Sequence, residues 1–300
     1  MDHCVDPIKV AAWQAERRRR GERIGFVPTM GALHAGHLAL VQEARRRCDR
    51  VVVSIFVNPL QFNNPEDLAR YPRQPEADAG LLRTAGCDLL FTPEAEGIFR
   101  DHRPREYDLG GLDLHWEGPD RPGHFQGVVN VVERLFHYVR PDMAFFGEKD
   151  RQQLTIIRHV ARSLHWPEDI VACPTQREAD GLAMSSRNQR LDPADRARAP
   201  LLYQALQAVA RAAFRSTVDQ ARQAGLDVLA SDPAIRPDHL GIAHPATLAP
   251  IDGWDGLQEA VVLVAARVGP VRLIDNLVLQ RDGPGGDTFA ARHPRHPHDH

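Results

Sequence analysis

Lysine is almost missing from this 300-residue chain: Lys9 and Lys149 stand against 35 arginines. Wherever a positive charge alone suffices, arginine supplies it, so a retained lysine is a candidate for a place that needs a compact, mobile ammonium. No apolar run approaches the roughly 18–20 residues of a membrane span; the longest, around residues 260–266, is strand-sized. The four cysteines (Cys4, Cys48, Cys87, Cys173) include no C-x-x-C spacing, which excludes an obvious disulfide framework or thiolate zinc site. The opening MDHCVDPIKV lacks the basic-then-apolar order of a secretory signal. The basic excess of a nucleic-acid coat is absent too, with 37 basic and 40 acidic residues giving a net charge of −3. These absences predict a cytoplasmic globular protein that binds neither nucleic acid nor membrane. With 43% apolar and 26% charged residues, the chain can bury a substantial core.

The apolar pattern over the first 175 residues alternates between strand and helix. Strands are predicted at 24–28, 50–57, 88–91, 143–146 and 170–173. The second (RVVVSIFV) is β-branched and nearly all apolar, as a buried parallel strand should be. Helices are predicted at 38–48 with Leu38, Val41 and Ala44 on one face, near 75–85, at 127–140 and at 151–164. Residues 99–123, rich in Gly, Pro and charge, read as an irregular excursion. Repeated β-α-β order implies an α/β fold, a Rossmann-like doubly wound parallel sheet. Beyond Asn188 the pattern changes to one or two helices over 200–230. A β-rich piece follows, in which 259–267 and 271–280 flank Gly269-Pro270 as a hairpin. The predicted organisation is therefore a nucleotide-type domain at 1–176, a smaller α+β domain at 177–282, and a disordered His/Pro-rich tail at 283–300.

Chemistry concentrates at four places. After the first strand, Pro28-Thr29-Met30-Gly31-Ala32-Leu33-His34-Ala35-Gly36-His37 runs from strand through a glycine turn into a helix. Unpaired amides at a helix start favour anions, and glycines let a ligand approach the backbone. His34 and His37 lie one helical turn apart and can face one anion. The segment matches neither the G-x-G-x-x-G nor the G-x-x-x-x-G-K-[ST] fingerprint. At the end of a later strand, Gly147-Glu148-Lys149-Asp150 carries the retained lysine, and sheets of this kind bind ligands at strand carboxyl ends. Met184-Ser185-Ser186-Arg187 gathers two hydroxyls and a guanidinium able to wrap a pyrophosphate. Asn58, Gln61 and Gln153 offer neutral amides to an oriented substrate.

In order and spacing, the runs IGFVPTMGALHAGH, VVSIFVNPLQFNNPEDLARYPR, RPGHFQGV, VRPDMAFFGEKDRQQL, READGLAMSSRNQRLDP and VLVAARVGPVRLIDN resemble the pantothenate synthetase (pantoate–β-alanine ligase) family. That family sits within a wider group carrying H-x-G-H, here His34 to His37, and a K-M-S-K-S-like loop, here Met184 to Arg187. The resemblance spans about residues 8–281. It implies that ATP and pantoate give pantoyl adenylate and pyrophosphate, after which β-alanine attacks to release AMP and pantothenate. It implies ATP binding by Met30, Gly31, Ala32, Leu33, His34, Ala35, Gly36, His37, Gly147, Glu148, Lys149, Asp150, Gln176, Met184, Ser185, Ser186 and Arg187. His37, His34, Lys149 and Arg187 would be catalytic, with His37 as the usual proton donor. Gln61, Gln153, Asn58 and His124 would contact pantoate, and Gln61 also β-alanine. Mg²⁺ would ride on the ATP phosphates with no dedicated protein ligands, and the protein would be a homodimer.

Three features depart from the family pattern. Gln176 stands where an apolar residue often lies near adenine, Arg151 replaces a frequent tyrosine, and residues 99–117 diverge most. Two other readings compete: a nucleotidyltransferase of the same fold, which would release pyrophosphate without needing an amine, and a non-catalytic nucleotide-binding module.

Overall fold

The computed structural model describes residues 1–283, 285 and 286. It begins with a short strand, β1 (Asp2–Cys4), and a helix, α1 (Pro7–Arg19), before the first strand read from the sequence, β2 (Ile24–Thr29). Next come α2 (Ala35–Arg47), β3 (Arg50–Ile55), α3 (Pro65–Arg70), α4 (Pro75–Ala85), β4 (Leu89–Phe91), α5 (Ala95–Ile98) and α6 (Glu117–Asp120). The elements α7 (His124–Val139), β5 (Met143–Gly147), α8 (Arg151–Ser163) and β6 (Asp169–Cys173) complete the first sheet. A second unit holds α9 (Pro193–Arg198), α10 (Leu201–Ala212), α11 (Val218–Ala230), β7 (Ile235–Ala243), β8 (Glu259–Val268) and β9 (Val271–Gln280).

The first sheet is parallel throughout, in the order β1-β4-β3-β2-β5-β6. Its central strands are buried on both faces, and their side chains alternate with period two. Phe26, Val52, Phe91, Ala144 and Phe146 point to the core shared with α1, α7 and α8. Val27, Val53, Leu90 and Phe145 point to the core under α2 and α4. Helices on both faces make the sheet doubly wound, as the β-α-β order predicts. From β2 the order runs outward to β3 and β4 on one side and to β5 and β6 on the other. The reversal between β2 and β5 opens a crevice at their carboxyl ends. The second sheet is antiparallel, β7-β8-β9, and packs against α10 and α11 around Leu206, Val209, Ile242, Val262 and Leu277.

Several expectations shift. The parallel sheet has six strands rather than five, because β1 adds an edge beside β4. The buried face of α2 is Leu40, Val41 and Ala44, while Leu38 is only half-buried. The 200–230 region is two helices, and the hairpin gains a third strand, β7. Residues 287–300 of the expected tail lie outside the described residues; Gly286, within them, bridges to Val278.

The 99–123 stretch is a strap. Tyr107, Leu109 and Leu112 pack on α7 and α8, and Trp116 crosses to the second sheet. The Trp116 indole donates to the Leu248 carbonyl at 2.7 Å. Its backbone holds φ +58, a conformation costing roughly 1–2 kcal/mol for an L-residue. The ring lies so close over Gly241 that a Cβ there would fall 2.4 Å from it. Gly241→Ala is therefore expected to destabilise the protein by about 1–3 kcal/mol through overpacking. Calorimetry should record a drop in Tm, and an unchanged Tm would show that the strap shifts freely.

Candidate active site

A cleft of ≈ 260 Å³ opens at the carboxyl ends of β2, β3, β5 and β6, where the strand order reverses. Met30, His34, Gly36 and His37 from the turn after β2 line it, with Gln61 after β3, Lys149 and Asp150 after β5, Gln153 at the start of α8, Gln176 after β6, and Met184 to Arg187 beyond. Residues separated by more than 150 positions thus share one wall. Val128, Val131, Val132, Leu135 and Phe146 give the cleft an apolar floor.

The turn after β2 is built differently from expectation. The amides of Ala32 and Leu33 donate to the buried carboxylate of Asp78 on α4, at 2.9 and 2.8 Å. Gly31 takes φ +82 and packs against Ile55 and Asp78, so its missing side chain makes room for protein, not for a ligand. Gly31, Ala32, Leu33 and Ala35, expected at the nucleotide, are not among the cleft-lining residues. The start of α2 is also satisfied internally. His34 is its N-cap, with Nδ1 accepting from the Gly36 amide at 3.1 Å, and His37 Nδ1 accepts from the His34 amide at 3.3 Å. Anion binding here therefore falls to side chains.

An accepting Nδ1 puts the ring proton on Nε2, so both imidazoles keep an Nε2–H donor. Their centroids lie 4.1 Å apart. Burial, then the charge of Lys149, pushes the His34 pKa down to about 4; burial, then His34 itself, pushes His37 down to about 3. Both rings are neutral at pH 7. His124, the first residue of α7, has the opposite tautomer: Nδ1 donates to the Gln61 carbonyl at 2.8 Å, leaving Nε2 to accept. Burial, then Arg121, pushes its pKa down to about 4.

Positive charge comes from elsewhere. Lys149 lies 3.3 Å from Asp150. Burial, the largest single influence, would raise the Asp150 pKa, but Lys149, Arg187 and Arg121 together hold the carboxyl below its ordinary range. Arg187 and Arg190 share the Asp67 carboxylate at 2.8 and 3.0 Å, which joins the loop after β3 to the one after β6. Ser185 caps the turn that follows it, and Ser186 donates to the Ala32 carbonyl at 3.0 Å.

Two expected ligands, Asn58 and Glu148, are buried and lie outside the cleft wall. Asn58, 1% exposed and outside the cleft wall, donates to Gln61 Oε1 and to the Gly127 carbonyl, both at 3.1 Å, and so orients Gln61. Glu148 is buried against Arg151 and does not line the cleft. Gln61 itself donates to Met30 Sδ at 3.1 Å. Sequence reasoning missed Arg121, which lines the cleft. Burial, then Arg187, lowers its pKa to about 10, so it remains charged at neutral pH. It sits in the RPGHFQGV run, from which only His124 was taken. Tyr71, Thr175 and the Asp78 support were missed as well. Among the described residues, one trio has metal-ligand spacing, Glu117, Asp120 and His239. The Arg272 guanidinium lies within it, at 2.6 Å from Glu117 and 3.0 Å from Asp120. That set, with a guanidinium inside it, suits an ion-pair cluster rather than a metal site.

The family model described as pantoate-beta-alanine ligase matches residues 4–278. A pantothenate synthetase of Thermus thermophilus is 50% identical over 270 residues, covering 89% of this chain and 96% of that protein. The crystal structure of pantothenate synthetase from that organism superposes with a TM-score of 0.86 at 47% identity, covering 92% of this chain and 99% of the other. The pantoate-beta-alanine ligase from Francisella tularensis, complexed with beta-gamma ATP and beta-alanine, gives a TM-score of 0.76 at 31% identity, covering 94% and 98%.

The neutral histidines have a consequence for stability. Unfolded, they protonate near the ordinary 6.5; folded, only near 3–4. Between those values the unfolded chain binds more protons, so stability present above pH 6.5 is lost as the pH falls toward 4. Melting temperatures taken from pH 7 to 4 are expected to decline, and more shallowly in a His34→Gln/His37→Gln variant. An identical decline in that variant would remove these two rings from the account.

Proposed function

The chain belongs to the pantoate–β-alanine ligase family, and we propose that its cleft performs that ligation in two steps through pantoyl adenylate. The enzyme is an ATP-dependent ligase that joins pantoate to β-alanine as pantothenate. In the first step a pantoate carboxylate oxygen bonds to the α-phosphorus of ATP, the bond to the bridging oxygen breaks, and pyrophosphate leaves. In the second the β-alanine amine bonds to the acyl carbon, and AMP leaves with the electron pair of the anhydride C–O bond.

The observation that carries this reading is the gathering, at one switch point, of Lys149, Arg121 and Arg187 beside two neutral imidazole donors and the amides of Gln61 and Gln153. The carboxylate and the triphosphate repel each other, so the first step is limited by charge and alignment. The cations offset the charge building on the α-phosphate and the departing pyrophosphate. His34 and His37 donate Nε2–H hydrogen bonds there without adding charge. Gln61, held by Asn58, and Gln153 orient pantoate, and His124 Nε2 accepts from one of its hydroxyls. Met184 to Arg187, with Gln176, hold the nucleotide. The apolar floor keeps water from the mixed anhydride. Mg²⁺ held by the ATP phosphates would add further charge neutralisation beside Lys149 and Arg187. A cytoplasmic homodimer completes the reading, by likeness to the family.

AMP and pyrophosphate are each expected in amounts equal to pantothenate; ADP and phosphate in their place would exclude the adenylate. Lys149→Ala is expected to slow adenylation on the order of 10²–10³-fold while sparing the reaction of β-alanine with supplied pantoyl adenylate. A near-normal first step would remove Lys149 from the phosphate site.

A further inference from the structure

Strand β9 (VRLIDNLVLQ) carries two adjacent polar residues, Asp275 and Asn276, in an otherwise apolar interior, where they are 5% and 2% exposed. Burying a carboxylate and a carboxamide is costly unless their hydrogen bonds are made. Here the bonds cross from the second sheet to the cleft. The Asn276 amide donates both hydrogens to the turn after β5, to the Glu148 carbonyl at 3.0 Å and the Lys149 carbonyl at 2.8 Å, while its oxygen accepts from Arg151 Nε at 3.1 Å. The Asp275 carboxylate takes both arms of Arg177, at 2.6 and 3.0 Å. Arg177 also lies 4.0 Å over the Tyr203 ring. It forms the base of a small hairpin, paired with Ala183 and closed by Met184 N–H to the Gln176 carbonyl at 2.9 Å, which leads directly into Met184 to Arg187.

We infer that Asp275 and Asn276 are positioning residues that fix two nucleotide-binding segments relative to each other: Asn276 sets the Lys149 turn, and Asp275, through Arg177, sets the Met184–Arg187 loop. This rests on the assignment of those segments to ATP. Both residues line the cleft, and the bonds above run from them to the protein's own carbonyls and guanidinium, which is what makes them positioning residues. Arg151, the departure from the family's frequent tyrosine, is tied into the same device through Asn276 and Glu148. A positioning role for these residues confines the damage from their loss to the nucleotide. A merely structural role spreads it across both half-reactions.

The test uses two variants that act from opposite ends. Asn276→Asp turns two donors into an acceptor facing two carbonyls, and Arg177→Lys replaces the fork on Asp275 with a single point. Each is measured for ATP affinity by titration calorimetry, for pantoate-dependent ATP–pyrophosphate exchange, and for pantothenate formed from supplied pantoyl adenylate and β-alanine. ATP affinity and exchange are expected to fall on the order of 10–10²-fold, with kcat from saturating supplied adenylate held within about twofold of the parent. Equal losses in both half-reactions, or unchanged ATP affinity in the folded variants, would overturn the inference. Should Asn276→Asp not fold, Arg177→Lys decides alone. ATP affinity is read without turnover, so a parent enzyme that binds ATP but shows no exchange would count against the adenylate route and not against these two residues.

Discussion

Everything in the cleft depends on the change of direction between β2 and β5. A parallel sheet that winds outward from its middle must leave a gap above the two strands where the winding starts. The turns after both strands, and after their neighbours, empty into that gap. Once the order is set, residues far apart in the chain become neighbours with no further design. What remains is to hold each turn rigid, and this is done with buried polar side chains: Asp78 under the first turn, Asn58 under Gln61, and Asn276 beside Lys149. Each has its hydrogen bonds made within the protein, and each fixes a turn that borders the cleft.

The electrostatics follow a division of labour. Histidines at the head of a helix invite the reading that they bring positive charge to an anion. Their hydrogen bonds and burial say otherwise, because both rings accept at Nδ1 and resist protonation down to about pH 3–4. They are directional donors, and the charge comes from one lysine and several arginines. Lys149 is one of two lysines in the chain, and its single compact charge reaches the cleft beside Asp150. The arginines around it are planar and in part already paired, Arg187 with Asp67 among them.

The alternation of helix and strand was readable because apolar spacing is a local property. β2, β3 and the β8–β9 hairpin carry it plainly. β1 did not, since three residues (DHC) have no period and it lies at an edge; nor did β7, which opens with the polar run IRPDH. The side chains of the site were legible as motifs. What held them was not: Asp78 lies 46 and 45 residues beyond the two amides it binds, and Asn276 lies 127 beyond Lys149. A motif shows which groups could meet a ligand, but not which are already committed. Thus the turn bearing Ala32 and Leu33 reads as a nucleotide contact although a carboxylate already holds its amides, and Asn58 reads as a substrate contact although its amide is bonded to Gln61.

The place of Asp275 and Asn276 in the chain bears on biosynthesis. Strand β9 leaves the ribosome after every strand of the parallel sheet, the last of which ends at Cys173. A nascent chain can therefore assemble the walls of the cleft well before the tie that joins two of them is made. On the proposed reading, alignment of the nucleotide segments waits for β9, and a product truncated ahead of β9 carries the motifs without the brace that aligns them.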